Sequence, residues 1–171
     1  MSIYWGQWEK NLSKTREQQE RDDIWAWIEL AWQELNFPFK KRKLPTLPGI
    51  YFVGGILRPE HLTLPTPAGK GKYCSIAQKL PSWITEEERQ IPFRHALYIG
   101  TCRSLWMRWG SHPRNKEIYP LMQAGVRVSF YFWCLPPPVG IREAENEKEN
   151  RLALEKRLNK MLRPLLDLTE K

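Results

Sequence analysis

The first hydrophobic pattern in the chain has the period of a helix. Between residues 9 and 36 the apolar positions recur about every 3.6 residues, and they are Ile24, Trp27, Ile28, Ala31, Trp32 and Leu35. Residues at this spacing share one face, which predicts a helix over residues 9–36. The Pro-rich, basic segment 37–48 predicts an extended connector. We therefore interpret residues 1–48 as a Trp-rich helical arm with its connector.

Three later segments have the pattern of buried strands. Gly49–Gly55 is a β-branched and aromatic run bounded by glycines, and Ala96–Gly100 is a second short run of the same kind. In the third segment, over residues 126–133, every second side chain is apolar, namely Val126, Val128, Phe130 and Phe132. This alternation is typical of a strand with one buried face.

The segments between and after these strands predict an insertion and three helices. About forty residues separate the first two strands, too many for a hairpin loop, so residues 55–94 are expected to be an insertion with structure of its own. Ser104 can cap a helix from Leu105 to His112, and a second short helix is expected over Lys116–Ala124. The run from Ile141 to Leu162 contains neither Gly nor Pro, which predicts a long terminal helix.

Composition adds a prediction about the partner. The 171 residues suit one domain with short appendages, and the 42% hydrophobic content with nine tryptophans supports a packed core. A net charge of +8 favours an anionic partner, nucleic acid first, because Lys and Arg neutralise phosphates and release counterions. Charge alone is equally compatible with a basic protein that binds nothing specific.

The sequence argues against membranes and secretion. No apolar run approaches the roughly 20 residues that cross a bilayer. The N-terminus lacks the basic start and apolar run of a secretory signal. Cys74, Cys102 and Cys134 lie far apart with no CxxC pair, so neither a zinc ribbon nor a disulfide framework is indicated. We expect reduced thiols in a cytoplasmic protein.

The candidate chemistry lies in an ordered set of short motifs on the predicted strands and helices. They are, in chain order, Gly49-Ile-Tyr51, Tyr98-Ile-Gly100, Leu105-Trp-Met-Arg108, His112, and Glu155 with Leu158 and Pro164-Leu-Leu-Asp167. In this order they resemble the motifs of the GIY-YIG nuclease family, from Gly49 to about Asp167. The chain departs from the family in its long insertion and at Asp167, where the family has Asn.

The resemblance implies a metal-dependent endonuclease that hydrolyses DNA phosphodiester bonds. By this resemblance Glu155 would hold Mg²⁺ or Mn²⁺, and Arg108 would stabilise the phosphate. Tyr51 would position or deprotonate the attacking water, supported by Tyr98 and His112. One carboxylate completed by phosphate and water suits Mg²⁺. The implied fold is α/β (α+β), a small mainly antiparallel sheet of three strands flanked by helices, over residues 49–171.

Several other interpretations stay open. Taken singly, Tyr51 and Tyr98 are also typical strand aromatics, and Glu155 is one charge on a Glu/Lys-rich helix. The remaining candidates for substrate contact flank the short helix after Ser104, and they are Arg103, Arg114 and Lys116. A catalytically inactive nucleic-acid-binding or scaffold module with the same fold is the main alternative. The Trp-rich arm also suits a protein partner or self-association.

Overall fold

The computed structural model describes residues 15–36, 39–40, 43–110, 115–134 and 141–166. The chain divides into two compact units, Met1–Ala31 and Trp32–Lys171. In the first unit, helix α1 spans Arg16–Ala31. Thr15 caps it, because the Thr15 hydroxyl accepts from the Gln18 N–H at 3.2 Å while the Gln18 side chain accepts from the Thr15 N–H at 3.1 Å. The helix predicted over residues 9–36 ends earlier than expected, and its residues 9–14 lie outside the described residues.

Residues 33–36 form a strand, so the helical prediction is wrong there. Strand β1, Gln33–Asn36, pairs antiparallel with strand β6, Arg127–Cys134, in a register that places Gln33 opposite Phe132. Pairing gives the backbone of this short segment its hydrogen bonds, which outweighs the helical spacing of its one apolar residue. Trp32 stacks on Trp133 with 6.5 Å between ring centroids. The larger unit begins at Trp32.

The central sheet has four antiparallel strands in the order β1-β6-β2-β5. Strand β2, Gly49–Leu57, lies between β6 and strand β5, Phe93–Cys102. Almost every residue of β2 is buried, which explains its unbroken apolar run. The predicted mixed α and β class is confirmed. The prediction of three strands is wrong, because β1 adds a fourth strand at one edge.

The insertion has structure of its own, as predicted. Strands β3, Pro65–Gly69, and β4, Lys72–Ser75, form a hairpin, followed by the single-turn helix α2, Ile76–Lys79. Short 3-10 turns cover Pro59–His61 and Glu88–Gln90. The insertion packs on the rest of the unit through buried side chains that belong to the main core, and they are Ile76, Leu80 and Ile84.

The remaining helices lie close to their predicted positions. Helix α3 spans Leu105–Gly110, α4 spans Asn115–Gln123 and α5 spans Ile141–Leu162. The Ser104 hydroxyl accepts from the Met107 N–H at 3.3 Å, which confirms the predicted cap of α3. After α5, the N–H groups of residues 165 and 166 donate to the carbonyl oxygens of residues 96 and 97 in β5. Within the described ranges, no helix is long and apolar enough to cross a membrane.

Candidate active site

The two motif tyrosines lie side by side on one face of the central sheet. Tyr51 in β2 pairs with Gly100 in β5, and Val53 pairs with Tyr98. Alternate residues of paired strands point to the same face, so both phenol rings lie on the same side. Their ring centroids are 6.0 Å apart, and Tyr51 also stacks on Phe130 of β6 at 5.7 Å. The structure therefore brings the two predicted tyrosines together.

Gly100 is required by the position of the Tyr51 ring. A Cβ atom at Gly100 would lie 2.6 Å from Tyr51 Cζ, closer still to the Tyr51 hydroxyl oxygen, and 3.0 Å from Tyr98 Cε1. A close-packed interior does not admit such contacts, so any side chain at this position would displace the ring. The glycine of Tyr98-Ile-Gly100 therefore lets Tyr51 lie across the neighbouring strand.

Gly49 has a related role at the start of β2. A Cβ atom at Gly49 would lie 2.7 Å from the carbonyl oxygen of Trp133 and 3.0 Å from Leu105 Cδ1. Leu105 is the first residue of α3, and its side chain is buried. The missing side chain at Gly49 therefore lets the first turn of α3 pack closely on β2. This packing brings Arg108, one turn later, to the hydroxyl of Tyr51.

Arg108 is the third predicted site residue in this group. Its guanidinium donates a hydrogen bond to the Tyr51 hydroxyl. Partial burial lowers the pKa of Arg108, but the hydrogen bond and the electrostatic effects of Tyr51, Tyr98 and Cys102 outweigh burial and raise the pKa. The Arg108 side chain is otherwise exposed. Its exposed N–H groups can form paired hydrogen bonds to phosphate oxygens.

Tyr51 lies beneath Arg108 and is a neutral hydrogen-bonding group. Only 2% of its surface is exposed. This burial is the main reason that the pKa of Tyr51 lies far above its ordinary value, and the neighbouring Tyr98 raises the pKa further. Arg108 offsets the rise only in part. A phenol in this state holds Arg108 in position and is poorly suited to remove a proton from water.

Glu155 is held at the same end of β5 by a neighbouring threonine. The Thr101 hydroxyl donates a hydrogen bond of 2.8 Å to Glu155 Oε2. Thr101 follows Gly100, so its side chain points to the sheet face opposite Tyr51. The Asn159 amide donates to the backbone carbonyl of Glu155 at 2.9 Å. The half-buried Glu155 is thus tied to β5 through a residue that the sequence predictions did not include, although it directly follows a motif glycine.

Burial and two arginines have opposite effects on the pKa of Cys102, the last residue of β5. Burial raises the pKa of Cys102 to about 11, while Arg151 and then Arg108 act in the opposite direction. Both guanidinium groups therefore lie close enough to influence this sulfur, which is a free thiol like those of the other two cysteines. Arg151 is buried and precedes Glu155 by one turn of α5. The sequence predictions did not include it, because it is one of many charged residues on α5.

The remaining predicted residues are less closely tied to this group. His112 and Arg114 lie outside the described residues. Arg103 follows Cys102 and is exposed, so it borders the same end of β5. Lys116 is exposed in the first turn of α4. The structure thus places Tyr51, Tyr98 and Arg108 together and ties Glu155 to the end of β5 through Thr101.

The metal prediction rests on one carboxylate. Among the described residues, no three His, Cys, Asp or Glu side chains form a group that could hold a metal ion. Mg²⁺ keeps several of its own waters and often takes one or two carboxylates together with substrate phosphates. The hydrogen bond from Thr101 engages Oε2 of Glu155, so Oε1 fits as a hard oxygen ligand for Mg²⁺ or Mn²⁺.

Comparison with known proteins adds no relative to this description. No protein-family model matches the chain, and searches of curated proteins and of solved structures gave no significant match. The interpretation of the site therefore depends on the motif residues and on their geometry.

Proposed function

We propose that this protein is a metal-dependent endonuclease of the GIY-YIG type that hydrolyses DNA phosphodiester bonds. The observation that carries the proposal is the arrangement of Tyr51, Tyr98 and Arg108 on one face of the central sheet. Tyr51 lies across Gly100 and accepts a hydrogen bond from Arg108. Both motif glycines have a steric reason to be glycine. Such mutual fit within an ordered set of motifs favours a built site over a chance match of tripeptides.

In the proposed reaction, Arg108 binds the scissile phosphate. A water oxygen bonds to phosphorus while the ester bond to the leaving oxygen breaks. The attacking water gives up a proton to solvent, the leaving oxygen takes one up from solvent, and negative charge grows on the phosphate oxygens in the transition state. Arg108 is exposed and is anchored through Tyr51. A guanidinium that is already oriented stabilises this charge without reorganising during the reaction.

The proposal gives Tyr51 a positioning role in the free protein. Its burial and raised pKa favour the neutral phenol. Between positioning and deprotonating the attacking water, these observations favour positioning, exerted through Arg108. Tyr98, half-buried beside it, is the phenol better placed to meet solvent.

Glu155 would hold the metal ion through Oε1, with Thr101 fixing the orientation of its carboxylate. When bound, Mg²⁺ supplies Lewis-acid stabilisation of the phosphate and lowers the pKa of a bound water. Arg151 is buried one turn away, and its charge acts on Cys102 at the same end of β5.

The proposal is tested by cleavage of single-stranded and double-stranded DNA with Mg²⁺, Mn²⁺ or EDTA. We expect metal-dependent cleavage that falls about a hundred- to a thousandfold in Arg108→Ala and in Glu155→Gln, because each removes a group that stabilises the transition state. Matched controls are Glu149→Gln, an exposed acid on the same helix, and Arg127→Ala, an exposed arginine in β6. Both controls should cleave like the natural chain.

Cleavage that persists unchanged in Arg108→Ala and Glu155→Gln would contradict the assigned site. A chain that binds DNA but does not cut under any of these conditions would support the inactive binding module instead. The same assay with RNA determines which nucleic acid is the substrate.

A further inference from the structure

A wide groove lies between the insertion and the terminal helix. Its walls are residues 78–82, at the end of α2, and residues 152–164, along and just after α5, and it encloses about 900 Å³. Glu155 is part of its lining. We call this feature the insertion groove. It leads away from the carboxylate that the proposed function assigns to the metal.

The insertion groove is strongly cationic. Four basic residues line it, namely Lys79, Lys156, Lys160 and Arg163, and Glu155 is the one acidic residue among its described lining residues. Lys156 and Lys160 are four residues apart on α5, so they project from the same helix face, and both are exposed. A row of lysines at this spacing presents a continuous positive edge to solvent.

The other two cations are held in place by contacts with the insertion and the sheet. The Lys79 ammonium donates to the carbonyl oxygen of Pro67 at 2.6 Å. The Arg163 guanidinium lies over the ring of Trp83, 5.5 Å from its centroid. The backbone carbonyl of Arg163 accepts from His95 Nε2 at 3.1 Å. Both walls of the groove are therefore tied to defined positions.

Between the cations the insertion groove is partly apolar. Leu80, Pro81 and Pro164 are buried along it, and Leu152 is 48% exposed despite its size. Cations and apolar side chains in one groove match the chemistry of a nucleic-acid strand, which presents phosphates on one side and sugars and bases on the other. An acidic peptide offers the negative charges without the sugar and base surfaces that would contact the apolar part of the groove.

We propose that the insertion groove binds the backbone of the nucleic-acid strand that extends from the cleavage site. The inference rests on the proposed function, because it places the groove beside the metal-holding Glu155. It also gives the insertion a role, since residues 78–82 form one wall. Neutralising phosphates along the groove releases counterions, so its contribution should depend steeply on salt.

The test is DNA binding without cleavage. Fluorescence anisotropy of short labelled duplex and single-stranded DNA is measured in EDTA over a series of salt concentrations, for the natural chain and for Lys156→Gln/Lys160→Gln. Removing one lysine that neutralises a phosphate should reduce the slope of log K against log salt by about one. At about 0.1 M salt this corresponds to about tenfold weaker binding per lysine. We therefore expect affinity to fall by about a hundredfold in the double variant.

The matched control is Lys70→Gln/Lys72→Gln, which removes the same charge from exposed lysines at the turn of the β3–β4 hairpin, away from the groove lining. The control should bind DNA like the natural chain. Equal losses in both double variants, or no loss in either, would overturn the proposal. Binding of a polyglutamate peptide that depends on Lys156 and Lys160, with DNA binding unaffected, would also overturn it by assigning the groove to an acidic protein.

This readout separates the groove from the nuclease proposal. A selective loss of binding in the Lys156→Gln/Lys160→Gln variant supports the groove even where the natural chain fails to cut DNA. If that variant binds DNA normally and the natural chain shows metal-dependent cleavage, the groove proposal is contradicted and the nuclease proposal is supported.

Discussion

The Tyr51 site and the insertion groove are built in opposite ways. Around Tyr51 the parts are buried and close-packed, and the positions of two glycines are dictated by contacts near or below 3.0 Å. The insertion groove is open, and its lysines stand on the exposed face of a helix. A packed interior tolerates few substitutions, whereas an exposed helix face tolerates many. The function of the Tyr51 site should therefore depend on its geometry, and the function of the insertion groove should depend on its net charge.

The largest expected effect comes from Gly100→Ala, which would break the first region. The new Cβ would lie 2.6 Å from Tyr51 Cζ, so the ring must move and Arg108 loses its anchor. We expect cleavage to fall by about a hundredfold or more, since an oriented charge stabiliser is lost. Overpacking should also destabilise the fold by about 1–3 kcal/mol. Cleavage assays and urea unfolding measure the two effects.

A double-mutant cycle shows whether the clash with the Tyr51 ring causes the loss of stability in Gly100→Ala. In a Tyr51→Ala background the same Gly100→Ala change meets far less obstruction, so its destabilising effect should shrink markedly. Purely additive effects would show that Gly100 is needed for another reason. Gly55→Ala is a milder control, because the nearest neighbour of its new Cβ is Val126 Cγ1 at 3.1 Å, whereas the new Cβ at Gly100 meets two Tyr51 atoms below 3.0 Å.

These two regions also differ in how far the sequence predicts them. The Tyr51 site is encoded in tripeptides on strands whose pattern is clear, so the sequence alone identifies Tyr51, Tyr98 and Arg108 as candidates. Strand β1 has no such signal, because Leu35 is its one apolar residue and it continues the helical spacing of α1. Its strand conformation depends on a partner, β6, almost a hundred residues away in sequence.

Sequence patterns also do not predict the insertion groove or the burial of Arg151. Lys79 is separated from Lys156 and Lys160 by most of the domain, and each looks like an ordinary surface lysine in its own segment. Arg151 is one of many charges on α5, and only packing shows that it is buried. A sequence motif reports residues that act close together in the chain, whereas these residues meet only through tertiary packing.

The next prediction concerns His95, the buried point that fixes one end of the insertion groove. His95 is 4% exposed, and burial lowers its pKa to about 4, although the hydrogen bond to the Arg163 carbonyl acts in the opposite direction. In the unfolded chain the pKa of His is about 6.5. Between these values the unfolded state binds the extra proton, so stability falls as pH falls. The loss should reach about 3 kcal/mol at about pH 4.

The variant His95→Gln isolates this contribution, because its amide can still donate to the Arg163 carbonyl but does not titrate. Free energies of unfolding are measured in urea at several pH values for both chains. Other groups titrate in both, so the difference between the two curves reports His95. A constant difference from pH 7 to pH 4 would show that His95 is not the source of acid sensitivity.

The smallest expected effect comes from Thr101→Val, and it tests whether the two regions act together. Thr101 lies next to Gly100 in β5, and its hydroxyl holds Glu155, which also lines the insertion groove. Removing that hydroxyl should raise the Mg²⁺ concentration needed for half-maximal cleavage by about tenfold, the lower end of effects seen for groups that orient metal ligands. DNA binding in EDTA should stay unchanged.

The control is Thr66→Val, since the buried Thr66 hydroxyl has no hydrogen-bond partner in the described structure, and its removal should leave the Mg²⁺ requirement unaltered. An equal Mg²⁺ requirement in Thr101→Val and the natural chain would mean that Glu155 does not depend on β5 for its orientation, and the two regions would then be independent.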